Sequence, residues 1–202
     1  MSAAGRWERD DHLLRILDDG LDEARRRAGD AAVCRAGCFG CCLGPFPITM
    51  QDAARLRRGL DAMEQSEPER AGRLRERAAE AMLAMRPGFP GDWLSGILDE
   101  ARAAEELYSA RYEMIPCPAL QLETGACELY EYRPVACRTF GLAVRVSGVD
   151  LAPCRLNYTG MSAAEIEARR VELHLEAIDS ADVEVGQTVI AAALRHRPPC
   201  NR

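Results

Sequence analysis

The sequence predicts a mostly α-helical protein in which helices surround an irregular, cysteine-rich centre carrying small β-hairpins. Three observations predict it. Apolar residues recur at helical spacing along three long segments before residue 86. Nine cysteines are present, and four of them fall within the nine residues 34–42. Between 116 and 155 the character changes to four cysteines, four prolines and short runs of β-forming residues punctuated by turn signals.

The elements follow in order. Leu13, Leu17, Leu21, Ala24 and Ala28 form an apolar stripe that predicts a helix over 8–28, with Gly29 as its stop. The Cys-Gly segment 34–44 is not helical, because Pro45 and Pro47 close it off. Thr49 with Asp52 reads as a capping-box-like start, and Ala53, Leu56, Leu60 and Met63 mark the next buried face. Pro68 sits in the first turn of a third helix that buries Ala71, Leu74, Ala78, Met82 and Met85. Its other face, with Glu69, Arg73, Arg77 and Glu80, reads as a solvated run of salt bridges.

Pro87 to Gly91 breaks the chain, and a fourth helix is expected over 92–112, burying Leu94, Leu98, Ala101 and Tyr108. Hairpins are expected about Glu123-Thr124-Gly125 and about Ser147-Gly148. A helix capped by Ser162 and Glu165 should bury Ala164, Ala168, Val171, Leu175 and Ile178, and a last one should cover 185–195. Residues 198–202 read as a frayed tail. No linker divides the chain, so 1–202 is expected to be a single domain. Its cysteine-rich segments are 34–42 and 117–154, with a helical insert at 43–116 and C-terminal helices at 162–195.

Composition excludes several functions. All 26 basic residues are arginine, so Schiff-base enzymes and lysine-dependent phosphate loops are ruled out. A net charge of −6 gives no footprint for nucleic acid. Only His12, His174 and His196 are present, too few for a His-rich zinc hydrolase. No run approaches a membrane span, the most apolar being Val189 to Leu194, and the first thirty residues lack the apolar core of a secretory signal. The chain therefore reads as cytoplasmic, where clustered cysteines mean metal or redox chemistry more often than disulfides. No catalytic set is apparent.

Cys38, Cys41 and Cys42 give C-x2-C-C, with Cys34 four positions earlier; Cys117, Cys127, Cys137 and Cys154 form the second group. Soft thiolates in this density suit zinc or an iron–sulfur cluster such as [4Fe–4S]. Use as buried small hydrophobes does not explain four in nine residues. These eight are the expected metal ligands, so the irregular centre is expected to be a metal centre; Cys200, on the tail, is expected to be free. Neighbouring side chains diverge, so Cys41 and Cys42 are expected on two nearby centres, or one of them unligated. The spacing matches neither a bacterial ferredoxin run nor the two C-x2-C knuckles of a zinc ribbon, and the choice of metal stays open. Arg35, Arg138 and Arg155 each follow a cysteine and Arg133 lies close before Cys137, placing them where they can offset thiolate charge.

The segment Cys34 to Cys42 (Cys-Arg-Ala-Gly-Cys-Phe-Gly-Cys-Cys), taken with Cys117-Pro118 and with Tyr130 to Arg138 (Tyr-Glu-Tyr-Arg-Pro-Val-Ala-Cys-Arg), resembles the CxxCxxCC cysteine-cluster family of YkgJ-type proteins. The resemblance covers about residues 30–155 and includes all eight cysteines. It implies a zinc- or iron-chelating protein. Flagellin lysine methylases carry a related cluster, so the resemblance also leaves room for an iron–sulfur oxidoreductase or a protein-modifying enzyme. Within the motif, Pro134 is expected to turn the chain into a short helix holding Cys137. Tyr130 is expected in the core, and His174 as a structural histidine on its helix.

Overall fold

The structure is a computed structural model and describes residues 3–99, 102–174 and 186–195. Helix dominates it, with seven α-helices and nine very short strands among the described residues. The chain divides into two compact units: Met1–Arg35 with Ala136–Val183, and Ala36–Val135 with Glu184–Arg202.

In the first unit, α1 (Ala3–Ala28) starts five residues earlier than expected; of its predicted stripe it buries Leu17, Leu21, Ala24 and Ala28 and leaves Leu13 half-buried. A 3-10 turn at Gly29–Ala31 ends it. That apolar face packs on β8 (Val171–Leu173) of a small sheet ordered β7-β6-β8, where β6 is Val144–Val146 and β7 is Val149–Asp150. The predicted turn at Ser147 and Gly148 joins β6 to β7, with both residues at the positive φ that such a two-residue loop needs.

The C-terminal part of this unit departs from expectation. Ser162 and Glu165 form the capping box, yet α6 runs only over Ala163–Glu167, and Ala164 and Ala168 are exposed. Arg170 explains the stop. Its guanidinium donates to the carbonyls of Val144 and Leu151, drawing the chain onto β6, where Val171 pairs in a parallel ladder beside Val144. His174 follows β8 and is exposed, on no helix. Leu175 and Ile178 lie outside the described residues.

In the second unit, α2 (Met50–Ser66), α3 (Pro68–Met85) and α7 (Ile190–Leu194) pack on one another. The predicted buried faces of α2 and α3 are all buried. A four-stranded sheet, ordered β1-β9-β3-β2, joins Pro47–Thr49, Gln187–Val189, Ile97–Leu98 and Gly91–Asp92. The helix expected over 92–112 is therefore a hairpin followed by a shorter helix, α4 (Arg102–Arg111). The Asp92 carboxylate accepts the backbone N–H groups of Leu94 and Ser95 at 3.0 and 3.1 Å, an alternative to helical bonding that Asp offers readily. Leu94 is consequently exposed, whereas Leu98 and Tyr108 are buried as expected; Ala101 lies outside the described residues.

The helix expected over 185–195 likewise begins as strand β9 and is helical only over Ile190–Leu194, because Thr188 and Val189 fill a central strand between β1 and β3. Phe89, Trp93, Tyr108 and Tyr112 close this core edge-to-face, with centroids 4.8–5.7 Å apart, and the Tyr108 hydroxyl donates to the Met85 carbonyl at 2.8 Å.

One buried carboxylate ties two parts of this unit together. Asp52 and Arg55 are 3% and 1% exposed, and Arg55 Nη1 donates to Asp52 Oδ1 at 2.6 Å. The same oxygen accepts the Val135 N–H at 3.0 Å, and Oδ2 accepts the Thr49 hydroxyl at 3.0 Å. Asp52 thus closes the start of α2 and also holds the Val135 N–H, where this stretch of the unit ends and α5 (Val135–Thr139) begins. Pro134, fully buried, turns the chain into it as predicted. Asp52→Ala removes the carboxylate that Arg55, Val135 and Thr49 share and should lose roughly 1–3 kcal/mol, read as a lower urea midpoint at unchanged slope. A loss within about 0.5 kcal/mol, the range of an ordinary surface substitution, would show that this junction is held by something else.

Candidate metal centre

The cysteine segments owe their shape to turns and to backbone pairing with distant strands. In the second unit the chain leaves a 3-10 turn at Gly40–Cys42 and bridges to 115–117: Cys117 N–H donates to the Cys42 carbonyl at 2.7 Å, and Gly44 N–H to that of Ile115 at 2.8 Å. The predicted hairpin about 123–125 is present as β4 (Leu120–Gln121) and β5 (Ala126–Cys127), shorter than expected, with Leu120 opposite Cys127. Its turn abuts the first cysteine segment. Gly125 has φ +67°, and a Cβ there would come within 2.6 Å of the Gly37 carbonyl oxygen, so only glycine fits. Cys38 follows Gly37 directly and is exposed.

Cys41, Cys42, Cys117 and Cys127 are neighbours by electrostatics as well as by backbone. A hydrogen bond from Cys42 holds the Cys41 thiol down at about 6, against the burial that pushes it up. Desolvation raises the Cys127 thiol, with Arg133 lowering it and Glu128 and Cys41 raising it further. Desolvation also pushes the Cys117 thiol up to about 12; Cys127 adds to the rise and Arg77 opposes it. A cation bound among these sulfurs would reverse the burial effect, because the metal-bound form of a thiol is the thiolate.

In the first unit Asn157 organises Cys34 and Cys154. Its buried amide Nδ2 donates to the Gly141 carbonyl at 2.5 Å and to Cys34 Sγ at 3.3 Å, while Oδ1 accepts the Val33 N–H at 3.0 Å. A Cβ on Gly141, at φ +102°, would lie 3.5 Å from Cys34 Sγ and 3.6 Å from the Cys154 Cβ. The positive φ is what favours glycine there, and the position borders both cysteine side chains. Cys154 Sγ also accepts the Leu156 N–H at 3.5 Å. Cys137 belongs to this unit, in the middle of α5.

None of the eight predicted ligands is in a disulfide, and each is at least partly exposed. Among the described residues no three Cys, His, Asp or Glu side chains already converge as a group able to hold a metal ion. The donor set nonetheless fits a soft metal: thiols on turns and short elements, gathered by backbone contacts within each unit. Cys200 and His196 lie outside the described residues.

Among the flanking arginines, Arg138 Nη1 donates to both Asp18 carboxylate oxygens at 3.0 and 3.1 Å. Arg133 lies 3.6 Å from the ring centroid of Tyr130. Tyr130 is 54% exposed and capped by that cation, so it is not the core residue its sequence context predicts; a surface cation–π pair serves it instead. Sequence reasoning also missed Asn157, Glu128 and the second role of Asp52. Only their closeness to cysteines or to the Thr49 cap marks them in the sequence.

No helix among the described residues is long and apolar enough to cross a membrane. No curated protein and no solved structure matches the chain. A family model, CxxCxxCC, described as a putative zinc- or iron-chelating domain, matches residues 33–166. That stretch takes in every thiol described above, the Asp52 junction, the hairpin between Cys117 and Cys127 and the Asn157 amide. With well over half of its length matched and the cysteine pattern intact, the chain belongs to the CxxCxxCC family.

Proposed function

We propose that the protein holds zinc or an iron–sulfur cluster through cysteine thiolates, with Cys34, Cys38, Cys41, Cys42, Cys117, Cys127, Cys137 and Cys154 as the ligand set. The observation that carries this reading is the gathering of the cysteine segments: the Cys42–Cys117 and Gly37–Gly125 contacts in one unit and the Cys34–Gly141–Cys154 contact in the other. A metal or cluster would supply the positive charge that makes desolvated thiols such as Cys117 ionise, and it would fix the turns that bear them. The role is structural or chelating, in a compartment reducing enough to keep the thiols free, which is the cytoplasm. Alongside the ligands, Arg133 and Arg77 lower neighbouring thiols and so favour the charged form.

Anaerobic purification with elemental and acid-labile sulfide analysis tests the reading. Brown protein with iron and sulfide identifies a cluster; colourless protein with stoichiometric zinc identifies zinc. Cys38→Ser and Cys137→Ser should lose metal and melt earlier, while Cys200→Ser should do neither. Protein that holds no stoichiometric metal and titrates nine free thiols would overturn it. The amide of Asn157 provides a separate check. Asn157→Leu removes the amide's bonds to the Val33 N–H and to the buried Gly141 carbonyl, which keeps only the Cys154 N–H at 3.3 Å, and at roughly 1 kcal/mol for each bond lost should lower the urea midpoint. An unchanged midpoint would mean that Asn157 does not hold Cys34 in place.

A further inference from the structure

We infer that Arg77, on α3, is a positioning residue that sets the relation between Cys117 and Cys127. This rests on the reading of those two cysteines as ligands. The face of α3 that carries Arg77 looks in sequence like a row of solvated salt bridges, and Arg73 behaves so: it is largely exposed and reaches Glu69 only at 3.9 Å. Arg77 does something else. Its Nε donates to the Pro118 carbonyl at 2.9 Å, and its Nη2 donates to Glu128 Oε1. Pro118 is the residue after Cys117, and Glu128 is the residue after Cys127. One guanidinium therefore grips the chain just beyond each cysteine.

The grip is stiff for three reasons. Guanidinium is planar and its donors are fixed relative to one another, so two bonds from one group define a spacing. Glu128 cannot swing away: its side chain is 6% exposed, and Arg70 Nε takes its other oxygen at 2.5 Å. Arg70 is itself held by Glu67 at 3.1 Å. Finally, the gripped segments are closed by short backbone bonds of their own: Leu120 N–H donates to the Cys117 carbonyl at 2.9 Å, turning the chain around Pro118, and Glu128 N–H donates to the Ala119 carbonyl at 2.7 Å, joining the two segments. The insert 43–116 thus has a defined task at the site. It brings a helix whose arginines fix a hairpin too short to fix itself.

Anaerobic titration of the full chain with Co(II), against a competing chelator, reads both affinity and the sulfur-to-cobalt absorption. Wild type should show the thiolate band. Arg77→Met should bind about 10- to 100-fold more weakly, with an altered band and an unchanged far-UV spectrum. Arg77→Lys, which keeps the charge and loses the fork, should recover only part of the affinity, and Arg73→Met should match wild type. A folded Arg77→Met with wild-type affinity and spectrum overturns the inference, and so does full recovery by Arg77→Lys, which would leave charge alone as the cause. If Arg77→Met does not fold, Glu128→Gln takes its place and is read the same way. A wild type without any thiolate band overturns the metal reading and this inference with it, whereas a wild-type band with an indifferent Arg77 overturns the inference only.

Discussion

Every described cysteine lies in irregular chain or in an element of five residues or fewer. Segments that short close too few backbone bonds and bury too little apolar surface to keep a shape in water. Something outside them has to do it, and this need organises both units. Asp52 reaches from the start of α2 to the Val135 N–H. Arg70 and Arg77 reach from α3 to Glu128 and Pro118. Asn157 bridges Gly141, Val33 and Cys34. In each case a polar side chain stands in for the missing local structure, buried at Asp52 and Asn157 and partly exposed at Arg70 and Arg77. Each is satisfied, since no buried side-chain nitrogen or oxygen among the described residues lacks a partner.

The electrostatics of the second unit follow from the same arrangement. Gathering thiols into packed surroundings disfavours their charged form, as at Cys117 and Cys127, while the vicinal hydrogen bond and nearby arginines favour it at selected sulfurs. Without a cation the cluster is a set of thiols at odds with their ionisation. With one, burial becomes an advantage, because a low-dielectric surround strengthens the attraction between thiolate and metal. The stability of these segments and their affinity for metal are therefore two aspects of one equilibrium.

Much of this was legible in the sequence. The stripes of α1, α2 and α3, the caps at Thr49 and Ser162, the two hairpin turns and the proline before α5 all stand where local chemistry puts them. The elements that were not legible share a cause. At 92–98, at 171–173 and at 187–189 the residues alternate ambiguously, and strand pairing decides the outcome: Thr188 and Val189 with β1 and β3, Val171 with β6. The cysteines announce the chemistry, but their supports are single polar residues whose partners lie far away in sequence: Asn157 with Val33 and Cys34, Glu128 with Arg70 and Arg77, and Asp52 with Val135. Arg77 reads in sequence as one more charge on a solvated face, and only its contacts with Pro118 and Glu128 distinguish it.

The central claim is that cysteine sulfur supplies the ligand atoms. X-ray absorption at the metal edge of anaerobically purified protein tests it most directly, since it reports the elements bonded to the metal. The account predicts a first shell of sulfur alone, at about 2.3 Å for zinc. A shell of nitrogen and oxygen would contradict it, because it would assign the metal to histidine or carboxylate side chains and leave the clustered thiols without their role.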